Sequence, residues 1–248
     1  MKVLVLGGKG AVGKALVDAY EPLVDTHVLD VDARPDVVGY DFMHVAIPWQ
    51  VGDFVNKVRE AQKDFKARRL IIHSTVPVGT TRQFGESACH SPILGQHDDL
   101  GSSLTKFTKW YGPVKVDDSL KFKEHLELPG ITAQSLGRPE DTEFAKLACL
   151  RRFLHDLAYY QEMDQIARKL LVPKSVLANW TRAYNAGYAG TQFVRPNLRF
   201  PEGKVGGKCV LQGATMLFQQ AQGDLLMAEL NMFAPVQAKP ELKVVSNG

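Results

Sequence analysis

The stretch VLVLGGKGAVGKALVDAY, residues 3–20, decides the fold class. It begins as an apolar, β-branched run, which is typical of a strand covered on both faces in a parallel sheet. Glycines interrupt the run, and apolar residues then recur at helical spacing. A second strand-like run, THVLDVD, follows at residues 26–32. We therefore predict a strand, a tight turn, a helix and a second strand in direct succession.

Three glycines in this stretch form a G-x-G-x-x-G pattern, at Gly8, Gly10 and Gly13. In such a pattern the first glycine permits the strand-to-helix turn, the second lets the backbone approach a diphosphate, and the third lets helix and strand pack closely. The N-terminus of the helix adds unpaired N–H groups and a partial positive charge. The pattern, in this strand and helix context, predicts a dinucleotide site.

Two aspartates, Asp30 and Asp32, end the second predicted strand, where a carboxylate can accept hydrogen bonds from a ribose. A carboxylate there also repels a 2′-phosphate, so we predict NAD rather than NADP as the cofactor. Arg34 lies close by in the sequence and keeps NADP as the alternative. The residues predicted to contact the cofactor are Gly8, Gly10, Ala11, Val12, Gly13, Asp30, Asp32, Pro48 and Thr75.

The remaining chain predicts two kinds of architecture in succession. Strand-like and helical segments alternate at first, which indicates a Rossmann-type, doubly wound, mostly parallel α/β sheet. A long glycine- and proline-free helix from Glu140 to about Leu171, with an apolar stripe, then begins a smaller all-helical domain that ends in a helix from Gly213. We predict an NAD-binding domain over 1–138 and a helical central, dimerisation domain with a cysteine loop over 139–248.

Composition excludes several functional classes. The net charge of +3 is spread along the chain, and the basic segments KDFKARR and SLKFKEH are interpreted as solvated helix faces, so no nucleic-acid partner is predicted. The 3 cysteines are far apart and odd in number, which argues for a reducing compartment. No apolar run is long enough to span a membrane, and no signal-peptide core is present. We therefore expect a cytoplasmic protein with no membrane partner.

Three further segments carry a family resemblance. HSTVPVGTT at 73–81, TEFAKLA at 142–148 and RFPEGKVGGKCV at 199–210 resemble, in order, the S-T-V-P-x-G-T-T, E-x-x-K-L and glycine-glycine-x-cysteine segments of the UDP-glucose/GDP-mannose dehydrogenase family. The resemblance implies NAD-dependent hydride transfer from a sugar nucleotide or related polar alcohol. In that family a cysteine thiolate attacks the aldehyde formed by the first hydride transfer, and a second transfer gives a thioester that water hydrolyses.

The resemblance also implies residue roles. Cys209 would be the nucleophile, Lys146 the residue that steadies oxyanions, and Thr75 a neighbour of the nicotinamide or of a catalytic water. Independently of the resemblance, arginines in the loop before the cysteine suit a small, anionic substrate, because planar guanidinium groups bind phosphates and carboxylates; solvated loop arginines are the alternative. The residues predicted for this role are Arg195, Arg199, Gly206 and Gly207.

Three polar positions of the family pattern are replaced here. Ile93 stands at the position of a glutamate, Leu150 at that of an asparagine and Gly213 at that of an aspartate. Nearby polar residues could substitute, or could form a solvated loop: His90, His97, Asp98 and Asp99. No His or Cys spacing matches a known metal site, so no metal is predicted. We expect a short member without the C-terminal nucleotide-sugar domain, because the sequence given ends 39 residues after Cys209.

Three functions remain open from the sequence. The first is the sugar-nucleotide oxidoreductase with Cys209 and Lys146 at its centre. The second is a one-step dehydrogenase of the β-hydroxyacid or 6-phosphogluconate type, in which Lys146 is the acid/base. The third is a dinucleotide-binding protein with impaired catalysis. The resemblance also implies a homodimer through the long helix; a helix packed only on its own chain is the alternative.

Overall fold

The computed structural model describes residues 1–95, 99–173, 175–192, 195 and 208–221. Internal contacts divide the chain into two units, Met1–Leu147 and Ala148–Gly248. This division falls inside a long helix, whereas the sequence pattern places a domain boundary at residue 138, just before that helix begins.

The first unit is built on a seven-stranded sheet with the order β2-β1-β3-β4-β5-β6-β7. Pairing is parallel from β2 to β5, β6 runs antiparallel to β5, and β7 is parallel to β6. The predicted mostly parallel, doubly wound α/β fold is thereby confirmed. The strands are β1 (Lys2–Leu6), β2 (Asp25–Leu29), β3 (Phe42–Val45), β4 (Arg69–Ile72), β5 (Ala88–His90), β6 (Lys109–Pro113) and β7 (Ala133–Ser135).

Helices cover both faces of this sheet, which is why its central strands are almost entirely apolar. One core cluster contains Leu16 of α1 (Ala11–Tyr20), Leu104 of α3 (Leu100–Lys106) and Phe122 of α4 (Ser119–Glu127). The other contains Phe54 and Val58 of α2 (Phe54–Asp64). Burial of an aliphatic or aromatic side chain contributes roughly 1.5–3 kcal/mol, so these two clusters supply most of the stability of the unit.

The second unit is helical in its described part. It contains most of α5 (Pro139–Lys169), all of α6 (Ser175–Gly187), and α7 (Lys208–Ala221). Leu154 of α5 is buried against Val210 and Ala214 of α7, so the predicted apolar stripe does form a core. Helix α7 begins before Cys209, earlier than the Gly213 predicted from the sequence. No helix of the described residues is both long and apolar enough to cross a membrane.

Two local interpretations from the sequence are wrong. The single helix expected over residues 49–65 is interrupted, because Gly52 and Asp53 both have positive φ between a short 3-10 turn and α2. The second concerns Cys149: its place next to the leucine stripe in the sequence predicts a small core residue, but its side chain is exposed. The solvated helix face expected of the segment SLKFKEH is present, because its lysines are exposed, while Phe122 and His125 are buried on the opposite face.

The glycine turn after β1 depends on backbone that has no room for side chains. Gly7, rather than Gly8, has the left-handed φ of 85°, so the turn role assigned to Gly8 belongs to the preceding glycine. A Cβ at Gly8 would lie 2.7 Å from Val28 of β2. A Cβ on Gly13 would overlap the carbonyl oxygen of Gly7 and lie 2.7 Å from Gly8 Cα. Helix α1 therefore starts in direct backbone contact with the turn.

We expect Gly13→Ala to destabilise the first unit, because the added methyl group meets backbone atoms that cannot move independently. Overpacking of this kind costs about 1–3 kcal/mol or more in the free energy of unfolding. Gly10→Ala is the matched control, since Gly10 has φ −72° and its Cβ would meet only Gly7 O, at 3.4 Å. Urea denaturation measures both. Equal unfolding free energies for the two variants would contradict the packing described here.

Candidate functional site

The predicted cofactor residues lie at one edge of the first unit's sheet. Strands β1 to β4 are parallel neighbours, so their carboxyl ends share this edge. Strand β2 lies on one side of β1 and the next strand, β3, lies on its other side. The strand order therefore reverses at β1, which is the topological switch point. Open α/β sheets bind ligands in the crevice at such a point.

The N-terminus of α1 is open at this edge. Gly10 is its N-cap residue and makes no side-chain cap, and both Gly10 and Ala11 are exposed. Helix geometry leaves the first-turn N–H groups, those of Ala11, Val12 and Gly13, without an intrahelical acceptor. These N–H groups and the helix dipole fit an anion such as a diphosphate.

The Asp30 carboxylate connects the end of β2 to the glycine turn. Its Oδ2 accepts a hydrogen bond from the backbone N–H of Lys9 at 2.9 Å, and its Oδ1 accepts one from Val31 N–H at 2.8 Å. A carboxylate oxygen has two lone pairs, so each oxygen can still accept a ribose hydroxyl. Asp30 is therefore a positioned acceptor beside the turn, where the sequence pattern predicts the ribose.

Two charged neighbours of Asp30 are paired elsewhere. Lys9 Nζ lies 2.7 Å from Asp32 Oδ1, and hydrogen bonding to Lys9 lowers the pKa of that exposed carboxyl group. Arg34 donates to Asp64 Oδ2 at 2.9 Å and lies 4.8 Å over the ring of Phe65. The guanidinium that could have read a 2′-phosphate is thus engaged with the end of α2.

Pro48 and Thr75 follow β3 and β4 at the same edge of the sheet. Pro48 is exposed and Thr75 is half-buried. Ser74 ties the two strand ends together, because its hydroxyl group donates to Ile47 O at 2.6 Å. Ile47 also adjoins the turn, since a Cβ on Gly7 would lie 2.9 Å from Ile47 Cγ2. The structure thus brings the glycine turn, Pro48 and Thr75 to one edge.

Lys146 lies on the first turns of α5 and contacts the segment after β5. Its Nζ donates to Ile93 O at 2.9 Å, and the lysine is half-buried. The Ile93 side chain, at the position of the family glutamate, is buried in a core cluster of the sheet. The first replaced position therefore contributes packing instead of an acid/base group.

Glu143, one turn before Lys146, is a site residue whose role sequence reasoning missed. Its buried carboxylate accepts hydrogen bonds from Gly79 N–H at 2.6 Å and from Thr81 N–H at 2.7 Å. Burial raises the pKa of Glu143. The E-x-x-K spacing was visible in the sequence, but only the fold shows that the glutamate anchors the P-V-G-T-T segment beside Thr75.

In the second unit, Cys209 is exposed in the first turn of α7. Leu150 and Gly213, the other two replaced positions, are in contact within the second unit. A Cβ on Gly213 would lie 2.7 Å from Leu150 Cδ1. An apolar contact between α5 and α7 thus occupies the place of the family's asparagine and aspartate. Arg195 stacks 3.7 Å over the ring of Tyr184, which positions its guanidinium on α6.

The remaining predicted residues divide into two groups. Arg199, Gly206, Gly207, His97 and Asp98 lie outside the described residues. Asp99 precedes α3, and hydrogen bonding from Ser102 lowers the pKa of its carboxyl group. The candidate base His90 is fully buried, with Nε2 donating to Ser74 O at 3.2 Å, and burial lowers its pKa to about 3. His90 therefore does not titrate near neutral pH, contrary to its interpretation as a base.

Four histidines in the described part of the first unit are buried in its core, and all have depressed pKa values. Burial lowers the pKa of His125 to about 3, as it does for His90, and lowers those of His44 and His73 well below the ordinary value. Among the described residues, no group of three His, Cys, Asp or Glu side chains is placed to hold a metal ion. The histidines are therefore neutral hydrogen-bonding groups within the fold.

These depressed pKa values predict a loss of stability in mild acid. Below an unfolded pKa of about 6.5, the unfolded state binds protons that the folded state excludes, so the contribution is complete above that pH and is lost as the pH falls. Between about pH 7.5 and pH 5.5, each such histidine costs about 1.4 kcal/mol of unfolding free energy in total. His125→Phe preserves the stacking on Phe42 and removes one site, so its dependence on pH should be shallower. Urea denaturation between about pH 7.5 and pH 5.5 measures both slopes; parallel slopes would contradict this account.

The fold is shared with solved dehydrogenase structures. A UDP-D-ManNAc dehydrogenase from Pyrococcus horikoshii matches 94% of this chain and 68% of its own, with 15% identity and a TM-score of 0.77. A 3-hydroxyisobutyrate dehydrogenase from Mycobacterium tuberculosis matches 94% of this chain and 92% of its own, with 14% identity and a TM-score of 0.70. A UDP-glucose dehydrogenase from Pyrobaculum islandicum covers 93% of this chain and 68% of its own, with 15% identity and a TM-score of 0.68. No family model and no curated protein sequence matches the chain. The chain therefore has the fold of these dehydrogenases.

Proposed function

We propose that this protein is an NAD-dependent oxidoreductase that removes a hydride from a polar alcohol. The observation that carries the proposal is the open N-terminus of α1, with Asp30 held against the glycine turn at the switch point of the sheet. Its support is that the solved structures sharing the fold include UDP-sugar and 3-hydroxyisobutyrate dehydrogenases.

NAD fits the residues present at this edge. The first-turn N–H groups of α1 would hold the diphosphate, and Asp30 would accept the ribose hydroxyl groups. When bound, NAD supplies the hydride acceptor. Asp32 adds negative charge beside Asp30, and Arg34 is paired with Asp64, so the local charges favour NAD over NADP.

Lys146 is the proposed proton-handling residue. Loss of hydride from an alcohol requires loss of the hydroxyl proton, and a neutral lysine amine can accept that proton while its charged form stabilises an oxyanion. The hydrogen bond to Ile93 O restricts Nζ to the segment after β5. Glu143 holds the P-V-G-T-T segment and so positions Thr75 at the carboxyl end of β4.

The proposed substrate class is a sugar nucleotide or related anionic alcohol, with Cys209 as the nucleophile for a second oxidation. The exposure of Cys209 in the first turn of α7 supports this role, because a nucleophile must be accessible to its substrate. Homodimerisation through α5 stays a prediction. Phe153, Tyr159 and Ile166 on that helix are exposed and would be available to such a contact.

A specific observation favours a second candidate, the one-step dehydrogenase of the hydroxyacid type. The contact between Leu150 and Gly213 puts an aliphatic side chain where the two-step family has polar groups. Oxidation of an alcohol to a carbonyl needs one acid/base group, whereas hydrolysis of a thioester also needs a positioned water. The 92% coverage of the 3-hydroxyisobutyrate dehydrogenase is in line with this simpler reaction.

NADH formation tests the proposal and separates the candidates. The protein is assayed with NAD and with two substrate panels, UDP-sugars and 3-hydroxy acids. Lys146→Met should lower kcat by about 100-fold or more on the accepted substrate, because it removes the proton acceptor. Two NADH per substrate, abolished by Cys209→Ala, would identify the two-step reaction. One NADH per substrate, unchanged by Cys209→Ala, would identify the one-step reaction.

Cys149→Ala is the matched control for Cys209→Ala, because Cys149 is also exposed and lies in the same unit. It should leave the rate unchanged in either case. Binding of NAD without oxidation of any substrate in either panel would contradict the proposed activity and favour a dinucleotide-binding protein with impaired catalysis.

A further inference from the structure

We propose that His125, His44, His73 and Lys109 form a buried proton relay that adjusts the charge beside Lys146. These four residues come from α4, β3, the segment after β4, and β6, so only the folded sheet brings them together. The relay itself requires no cofactor. Its value to catalysis rests on the proposed function, in which Lys146 exchanges protons with the substrate.

The four side chains form a continuous chain of contacts. His125 Nε2 lies 2.8 Å from His44 Nε2, and His44 Nδ1 lies 2.8 Å from His73 Nε2. His73 Nδ1 lies 3.1 Å from Lys109 Nζ. All four residues are buried, with at most 4% of their surface exposed. The chain thus crosses the core from α4 to β6 without a gap.

One carbonyl group determines which ring nitrogen of each histidine in the relay carries the hydrogen. Ser91 O lies 2.7 Å from His73 Nδ1, and a carbonyl oxygen can only accept, so Nδ1 carries the hydrogen. A neutral His73 then accepts at Nε2 from His44 Nδ1–H. His44 in turn accepts at its Nε2 from His125 Nε2–H. Every hydrogen bond in the chain therefore points from His125 toward β6.

In this tautomer of His73, Lys109 is an uncharged amine. Its Nζ donates to Ser91 O at 2.7 Å and to Pro92 O at 2.9 Å. The third neighbour, His73 Nδ1, already carries a hydrogen, so Lys109 must present its lone pair there. The direction of the pKa agrees, because burial and the charge of Lys146 both lower the pKa of Lys109.

Proton uptake reverses the direction of the hydrogen bonds in the relay, one after another. A proton binds His125 Nδ1, which has no partner among the described residues. His125 Nε2–H then passes its proton to His44 Nε2, His44 Nδ1–H passes its proton to His73 Nε2, and His73 Nδ1–H passes its proton to Lys109 Nζ. One proton has entered and one has arrived, and each histidine is again neutral. Lys109 has become an ammonium group whose three hydrogens go to Ser91 O, Pro92 O and His73 Nδ1, so a lysine hydrogen replaces the Nδ1–H beside Ser91 O.

The neighbouring titratable groups leave this path intact. At the outer end, Asp41 opposes the pKa depression of His125, and the buried Tyr20 phenol donates to His125 O at 3.0 Å. Burial raises the pKa of Tyr20, so it stays protonated. At the inner end, Cys89 is a buried thiol whose pKa is raised, and His90 is a buried neutral histidine. Lys146 is therefore the charged group that bears on Lys109.

The two lysines bind consecutive carbonyl groups. Lys109 donates to Ser91 O and Pro92 O, and Lys146 donates to Ile93 O. Repulsion between like charges makes the two protonations antagonistic. When Lys146 is neutral, Lys109 takes up a proton through the relay. When Lys146 accepts a proton from the substrate, Lys109 releases one toward His125, so the charge at the segment stays constant.

Histidine NMR on the full chain tests the relay without cofactor or substrate. At about pH 7.5, long-range ¹H–¹⁵N spectra of the wild type should show His73 and His44 protonated at Nδ1 and His125 at Nε2. Lys146→Met mimics the neutral lysine and Lys146→Arg keeps the charge. The tautomers of all three histidines should reverse together, at a pH about one unit or more higher in Lys146→Met than in Lys146→Arg.

The His44→Phe variant interrupts the hydrogen-bonded relay between His125 and His73. In this variant the tautomer of His125 should no longer follow that of His73. An imidazolium signal from any of the three histidines in the wild type at about pH 7.5, the opposite set of tautomers, or identical spectra for Lys146→Met and Lys146→Arg would each overturn the relay. None of these results depends on NADH formation, so failure of the relay and failure of the proposed activity are separately visible.

Discussion

The structure depends above all on the approach of helix α1 to the backbone of the turn that precedes it. No side chain fits between Gly13 and the carbonyl oxygen of Gly7, so the helix starts against the end of β1. That contact places the open first turn of α1 at the carboxyl edge of the sheet, where β2 presents Asp30 and β4 leads into Thr75. The proposed cofactor site follows from one packing constraint among glycines.

The chain resembles a two-step dehydrogenase in its motifs, yet it fills the positions that distinguish such an enzyme with apolar groups. Ile93 joins the core of the first unit, and Leu150 packs over Gly213 in the second. Ile93 and Leu150 therefore contribute packing where the family pattern has groups capable of acid/base chemistry or hydrogen bonding. Lys146 donates a hydrogen bond to the backbone of the same segment, which holds the proposed proton-handling group in place.

Much of the fold could be predicted because its signals are local. The apolar run of β1, the spacing of the glycines and the leucine stripe of α5 each lie within a few turns or strands of sequence. The exact turn geometry could not be predicted, since a double glycine offers two positions for the left-handed residue and only packing against Val28 and Ile47 selects Gly7. The break at Gly52 and Asp53 was hidden by helical periodicity on both sides.

The same difference between local sequence signals and tertiary packing applies to the candidate site. Asp30, Lys146 and the glycines can be proposed from the sequence because each belongs to a motif with fixed spacing. The histidine relay was missed because sheet order, not sequence spacing, joins β3, β4 and β6 to α4. The available signals were a histidine inside the otherwise apolar strand FMHV and a lysine at the start of KWYGP. Lys109 can be buried there because its amine contacts the carbonyl oxygens of Ser91 and Pro92 and the Nδ1 atom of His73.

The most direct test of the central claim is a titration of the ¹⁵N-labelled protein with NAD and, separately, with NADP, followed through its backbone amide resonances. The account predicts that NAD shifts the resonances of Gly8 to Gly13 and of Val31, and that NADP binds more weakly because Asp30 and Asp32 repel its 2′-phosphate. Saturating NAD that leaves the Gly8 to Gly13 amide resonances in place would contradict the account.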